Sequence, residues 1–213
     1  ALKGNMDAMN CVVSSLAPVW DGEQWGGLEE TSNPASLTKM LFSHPSLKDY
    51  KYPADSIDND KLVELYDYCE DCGFECNTVL VQQQKFGDII RNVLATGHAF
   101  PVLDNNQYSF IIDNPQAYPF HILNNQNILS EGLQNTKNFD ELPDGLEISF
   151  INKGVDYKQD RIECYYDDSI ADDPTRRAQA KLEKVEYKFV TDRVQAWRLG
   201  KYNLAKRKLR PET

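Results

Sequence analysis

Residues 86–112 read FGDIIRNVLATGHAFPVLDNNQYSFII. The first half of this stretch places apolar side chains at helical spacing, and Gly97 is a typical helix end. The second half has two apolar runs, residues 99–103 and 107–112, on either side of the turn-forming residues 104–106. The stretch therefore predicts a helix followed by a β-hairpin.

The flanking segments extend this mixture of helices and strands. Asn33-Pro34 predicts a helix start, with an end near residues 43–45, and residues 58–60 predict the start of a second helix that ends at Gly73. Thr191 can cap a final helix that runs to about Lys208. Residues 10–19 predict a strand or a buried segment, and residues 20–27 predict turns. Further strands are predicted at residues 74–81, 146–151, 161–166 and 181–190. The sequence therefore predicts an α+β fold.

The composition is that of an ordinary globular protein. The chain has 213 residues and contains no apolar run near the ~18 residues that a membrane helix needs. No secretion signal is visible, and the odd count of 5 cysteines favours a reducing compartment over a disulfide framework. Because the chain starts with Ala1, we expect it to be a segment of a longer or processed polypeptide.

Charge is distributed unevenly along the chain. The net charge is −10, yet residues 176–213 hold 12 Lys/Arg against 4 Asp/Glu. We expect this basic segment to pack against an acidic face of its own chain or of a neighbouring subunit. A contact with nucleic acid or an anionic lipid is the alternative, although overall acidity disfavours nucleic acid as a partner.

A cysteine cluster is the most conspicuous candidate for chemistry. Cys69, Cys72 and Cys76 have a spacing that could hold zinc or part of an iron–sulfur cluster. No fourth ligand lies nearby, and Cys69 belongs to the apolar stripe of its helix, so structural thiols are the favoured interpretation. His44, His98 and His121 show no ligand spacing. Phosphate loops, dinucleotide fingerprints and nucleophile motifs are also absent from the sequence, which predicts neither a cofactor nor an enzyme.

Several segments, in a fixed order, carry a resemblance that covers most of the chain. They are APVWDG (17–22), TSNPA (31–35), LYDYCEDCG (65–73), FGDIIRNVLATGHAFP (86–101), PDGLEISFIN (143–152) and VTDRVQAWRLGKY (190–202). Together they resemble phage tail proteins related to the tip attachment (host-specificity) protein of long flexible-tailed bacteriophages. Residues 116–142 depart from the usual pattern of that family.

The resemblance implies a fragment of a tail hub at the distal tip of a virion. Such hubs are rings of three subunits, and their domains include β-barrels interrupted by a helical α/β insertion. On this basis, residues 1–30 and 140–213 would form a β-rich, barrel-like part with a C-terminal helix. Residues 31–120 would form the helical insertion with its hairpin, and residues 121–139 an irregular connection. The protein would be made in the bacterial cytoplasm.

The expected partners are other tail-tip proteins and copies of the chain itself, with no membrane contact. We expect Arg193, Arg198 and Lys201 to take part in such contacts, because charge pairs at an interface give register and selectivity. Two alternatives remain open at this point. One is a hub-associated cell-wall hydrolase, which would need an acidic pair or a zinc site. The other is a DNA-contacting tail domain.

Overall fold

The computed structural model of the protein describes residues 11–43, 56–104, 106–119 and 142–209. Helices and strands are mixed along the chain, which confirms the predicted α+β class. Within these described ranges no sheet closes into a barrel, and the barrel-like part stays a prediction. The irregular connection predicted at residues 121–139 lies outside the described residues.

The first half of the chain combines hairpins and helices. Its elements, in chain order, are β1 (Leu16–Trp20), β2 (Trp25–Glu30), α1 (Pro34–Ser43), α2 (Asn59–Cys72), α3 (Phe86–Ala95), β3 (Ala99–Asp104) and β4 (Gln107–Ile112). Strand β1 pairs antiparallel with β2, and β3 pairs antiparallel with β4. The three helices and the second hairpin confirm the sequence prediction. Strand β2 does not follow from the sequence, because Gly26-Gly27 disfavours a strand.

The second half is built around a three-stranded sheet. Its elements are β5 (Gly145–Asn152), a 3₁₀ turn (Lys153–Val155), β6 (Lys158–Tyr165), α4 (Ser169–Asp172), α5 (Pro174–Gln179), β7 (Leu182–Tyr187) and α6 (Arg193–Leu209). The central strand β5 is antiparallel to β6 and parallel to β7. The strands and α6 confirm the prediction, whereas the short helices α4 and α5 are not predicted from the sequence.

Local capping explains where the helices begin and end. The Asp58 carboxylate accepts the Lys61 N–H at 3.1 Å at the start of α2. Gly73 ends that helix with φ of 64°, in the left-handed region that glycine adopts without strain. At the start of α6 the prediction of a Thr191 cap is wrong. Asp192 is the cap instead, and its carboxylate accepts the Gln195 N–H at 2.9 Å.

A first core lies between α1, α2, α3 and the β3–β4 hairpin. Its fully buried members include Leu62, Leu65, Leu94 and Phe110. Gly97 lets the turn after α3 approach α2, since a Cβ there would lie 2.7 Å from the Cys69 Sγ. The buried stripe of α2 matches the apolar spacing predicted from the sequence.

A second core lies between α6 and one face of the β5–β6–β7 sheet. Leu146, Ile148 and Phe150 of β5 point into it, and α6 covers them with Ala196 and Leu199. The glycine at residue 200 allows this close approach, because a Cβ there would lie 2.5 Å from the Cδ1 of Ile148. Each of these two cores therefore comes from one continuous part of the chain, and a smaller buried cluster of Cys76, Val93 and Phe189 joins the two parts.

The β1–β2 hairpin contacts the first core. The Trp25 ring of β2 lies edge-on to Tyr66 of α2, with centroids 5.8 Å apart. Its indole N–H donates to the Asn59 side chain at 2.9 Å. The predicted domain boundaries, which group residues 1–30 with 140–213, stay a prediction.

The predicted strand at residues 74–81 is wrong. Residues 74–77 are tied to their neighbours by backbone hydrogen bonds, since the Cys76 N–H donates to Ser32 at 2.8 Å and the Asn77 N–H donates to Phe189 at 3.0 Å. Residues 78–84 are exposed and have no regular secondary structure. A strand needs a paired neighbour, and in the described ranges no strand lies alongside residues 78–84.

Candidate interaction surface

The joint between the two cores is formed by α6 and residues 72–77. Gln195 is buried in this joint, with only 3% of its surface exposed. Its side-chain amide accepts the Glu75 N–H at 3.3 Å and donates to the Glu75 carbonyl at 2.8 Å and the Thr96 carbonyl at 3.3 Å. One side chain therefore satisfies backbone groups from two separate segments. No sequence motif signals this role.

Two of the three predicted interaction residues face the body of their own chain. The Arg198 guanidinium donates to the Cys72 carbonyl at 2.7 Å and lies 4.6 Å from the centre of the Phe74 ring. The Lys201 ammonium donates to the Tyr165 carbonyl at 2.7 Å and contacts the Asp168 carboxylate. Both side chains therefore hold α6 against the rest of the molecule.

The third predicted residue, Arg193, lies exposed in the first turn of α6. Its charge lies close enough to Asp160 to help lower the pKa of that carboxyl. The larger causes are hydrogen bonds from the Asn152 side chain and the Arg161 N–H. Of the predicted set, Arg193 is the residue most available to a partner.

Other cations of the basic segment also pair within the chain. Arg207 contacts Glu183 at 2.5 and 3.1 Å, while the Arg177 side chain donates to Glu163 at 2.8 Å. These pairs confirm the prediction that the basic segment packs against acidic groups of its own chain. Because the side chains are partly exposed, water screens these pairs and each contributes little to stability.

The three clustered cysteines are buried or half-buried thiols. Burial raises the pKa of Cys69, and it raises the pKa of Cys76 to about 12. Metal binding needs a thiolate, which a raised pKa disfavours. In the described part of the chain no three His, Cys, Asp or Glu side chains come together in a way that could hold a metal ion. His44 and His121 lie outside the described residues.

His98 lies in an aromatic stack. Its ring is nearly parallel to that of Tyr202, with centroids 4.1 Å apart, and lies 4.6 Å from the Phe74 ring. Burial lowers the pKa of His98 to about 4, and the nearby Arg198 charge acts in the same direction. A neutral imidazole therefore packs α6 against the turn that follows α3.

A shallow cavity of about 430 Å³ opens beside the C-terminal end of α2. Three carboxylates line it, and each accepts a side-chain hydrogen bond from this chain: Glu30 from Ser14 (2.6 Å), Glu70 from Asn33 (2.8 Å) and Glu75 from Lys153 (2.9 Å). General acid–base chemistry needs a carboxyl that is ready to exchange a proton with a substrate. These contacts tie the three acids to neighbouring parts of the fold.

Large apolar side chains are exposed at several places on the described surface. Leu16 and Leu28 lie on one face of the β1–β2 hairpin and are 54% and 63% exposed, and this face is called the outer hairpin face below. Val194 and Trp197 are exposed one turn apart on α6. Large apolar side chains exposed together on one face are typical of protein–protein contacts.

No family model and no curated protein matches the chain. None of the helices in the described ranges is long and apolar enough to cross a bilayer.

Proposed function

We propose that the chain is a structural component of a phage or prophage tail tip, acting in tail assembly and host attachment. The ordered segments that resemble tail-tip proteins support this proposal. Its partners would be neighbouring tail-tip proteins and further copies of the chain, arranged as a threefold ring in the longer protein. A ring of this kind forms through head-to-tail contacts that close on themselves.

The outer hairpin face is the observation that carries the proposal. Leu16 and Leu28 are exposed on a two-stranded ribbon that Trp25 ties to the first core, so this apolar face is available to a partner. By contrast, the polar groups that could serve catalysis, such as Glu70 and Glu75, are used in contacts that hold the fold together. The surface therefore suits a building block that works by shape and association.

Two experiments on the full-length protein test the proposal. One locates the protein in the virion, and the other changes the outer hairpin face. Antibody labelling of virions by electron microscopy should mark the distal tip of the tail. A variant with Leu16→Lys and Leu28→Lys should give virions that lack the tip, with at least a tenfold loss of infectivity. Val155→Lys is the matched control, because Val155 is also 51% exposed but lies on the 3₁₀ turn after β5. It should assemble normally.

Labelling elsewhere on the virion, or normal tips in the double variant, would refute the proposal. Two assays on the purified chain cover the alternatives. Clearing of cell-wall preparations would indicate a hydrolase. DNA binding that weakens steeply with salt would indicate a nucleic-acid contact.

A further inference from the structure

We propose that residues 78–84 are an edge strand that pairs with the same residues of a second copy of the chain. The segment reads TVLVQQQ and is named segment 78–84 below. It combines a strong preference for strand structure with an absence of strand neighbours in the described part of the molecule. A partner strand would resolve that mismatch.

The side chains of segment 78–84 favour a strand that is covered on one face. Val79 and Val81 are β-branched, which favours the extended backbone, and they are 74% and 85% exposed. Leu80, between them, is 42% exposed. Alternate residues of a strand point to the same face, so Val79 and Val81 would present one apolar face together.

The backbone of segment 78–84 is unpaired within the described part of the chain. The backbone hydrogen bonds of the flanking residues extend only as far as Asn77 on one side and Lys85 on the other. The Asn77 N–H donates to the Phe189 carbonyl at 3.0 Å, and the Lys85 carbonyl accepts from the Asp88 and Ile89 N–H groups at 3.0 and 3.2 Å. Between these anchors no hydrogen bond joins segment 78–84 to another described residue. Such a row of unpaired N–H and C=O groups is a template for strand pairing.

Fixed ends reduce the cost of pairing. Because Asn77 and Lys85 are already held to the body of the protein, segment 78–84 has fewer conformations to lose than a free tail would have. A partner strand can therefore order it at a modest cost in entropy.

The lack of charge in segment 78–84 favours a second copy of the chain as its partner. Segment 78–84 contains no charged residue in a chain of net charge −10, so no like charges would face each other across the paired strands. Other exposed strands carry charges that would oppose themselves, such as Glu29 and Glu30 of β2. In an antiparallel pair centred on Leu80, Val79 of each copy lies opposite Val81 of the other. The result is a closed twofold contact.

The oligomeric state of the purified chain tests this pairing. Light scattering after size-exclusion chromatography should show a monomer–dimer equilibrium for the unmodified chain at micromolar concentrations. Val79→Lys with Val81→Lys should weaken the dimer at least tenfold, because four ammonium groups would meet across the pair. Val194→Lys is the matched control, since Val194 is also exposed, at 65%, but lies on α6. It should leave the dimer intact.

A crosslink tests the register. In a Cys11→Ser background, Leu80→Cys should give a disulfide-linked dimer on mild oxidation, because opposite residues of paired strands bring their Cβ atoms close enough. Thr78→Cys should not, because it would face Gln82 instead.

A monomeric unmodified chain, or a dimer that survives the double lysine substitution, would overturn the pairing. So would a dimer in which Leu80→Cys does not crosslink. At a concentration where the parent chain is monomeric, the thermal unfolding of all variants should match that of the parent chain, since residues 78–84 contact no other described element through hydrogen bonds. A monomeric chain would overturn this pairing and leave the tail-tip proposal standing.

Discussion

Replacing Gln195 with alanine should weaken the contact between the two cores and lower the free energy of unfolding. The substitution removes three hydrogen bonds and leaves the N–H of Glu75 and the carbonyls of Glu75 and Thr96 without their partner. A buried polar group without a partner costs about 1–3 kcal/mol. Glu75 is only half-buried, so water can reach part of this site. Summed over three groups, the cost would be about 3–9 kcal/mol. We therefore expect a loss of about 3 kcal/mol in the free energy of unfolding, at the lower end of that range.

Urea unfolding followed by tryptophan fluorescence measures this loss, with Trp197 reporting on α6 and Trp25 on the first core. Gln179→Ala is the matched control, because Gln179 is exposed at the end of α5 and outside the joint. It should change the free energy of unfolding by less than about 0.5 kcal/mol.

Gln195→Glu provides a second test of the same contact. A carboxylate cannot donate to the Glu75 and Thr96 carbonyls, and burial would raise its pKa. The destabilisation should therefore grow as the pH rises above about 4.3, the usual pKa of a glutamate, and should shrink in acid, where the protonated acid can donate again. If Gln195→Ala unfolds within about 0.5 kcal/mol of the parent chain, or Gln195→Glu shows no pH dependence relative to it, the role of Gln195 is refuted.

Two further predictions concern α6 and the stack beside it. Arg198→Ala should lower the free energy of unfolding by about 2 kcal/mol, since a charged hydrogen bond and a cation–π contact are lost, whereas Arg193→Ala should change it by less than about 0.5 kcal/mol. Equal effects in urea unfolding would contradict the assignment of Arg198 to the joint. Because burial lowers the pKa of His98 from its ordinary 6.5 to about 4 in the folded chain, stability present above pH 6.5 should be lost as the pH falls toward 4. His98→Asn suits the positive φ of 56° at this position and should flatten that loss in unfolding measured from about pH 7 to 4; an unchanged pH profile would count against the buried neutral imidazole.

Much of the fold could be predicted because the signals are local. The cap at Asp58, the apolar stripe of α2 and the stop at Gly73 all lie within one helix and its ends. The β3–β4 hairpin likewise depends on a short turn between two apolar runs. Signals of this kind act over a few residues, so a sequence displays them directly.

The parts that could not be predicted depend on distant partners. Residues 74–81 have strand-forming side chains, yet strand structure requires a neighbour that the sequence does not specify. Gln195 makes its hydrogen bonds to backbone groups of Glu75, 120 residues earlier, and any residue type could supply those groups. The N-cap of α6 lies one residue later than the sequence predicts. Thr191 and Asp192 are both good caps, and tertiary packing determines which of them is used.

The origin of each core in one continuous part of the chain has a consequence for synthesis on the ribosome. Residues of the first core fall between Ala35 and Phe110, so that half can become native while the remainder is still being translated. Helix α6 is synthesised much later. Until then the backbone N–H and carbonyl of Glu75 lack their hydrogen bonds to the Gln195 side chain. We therefore expect the nascent chain to pass through a stage in which the first core is folded and Gln195 has not yet bonded to Glu75, until α6 packs at the joint.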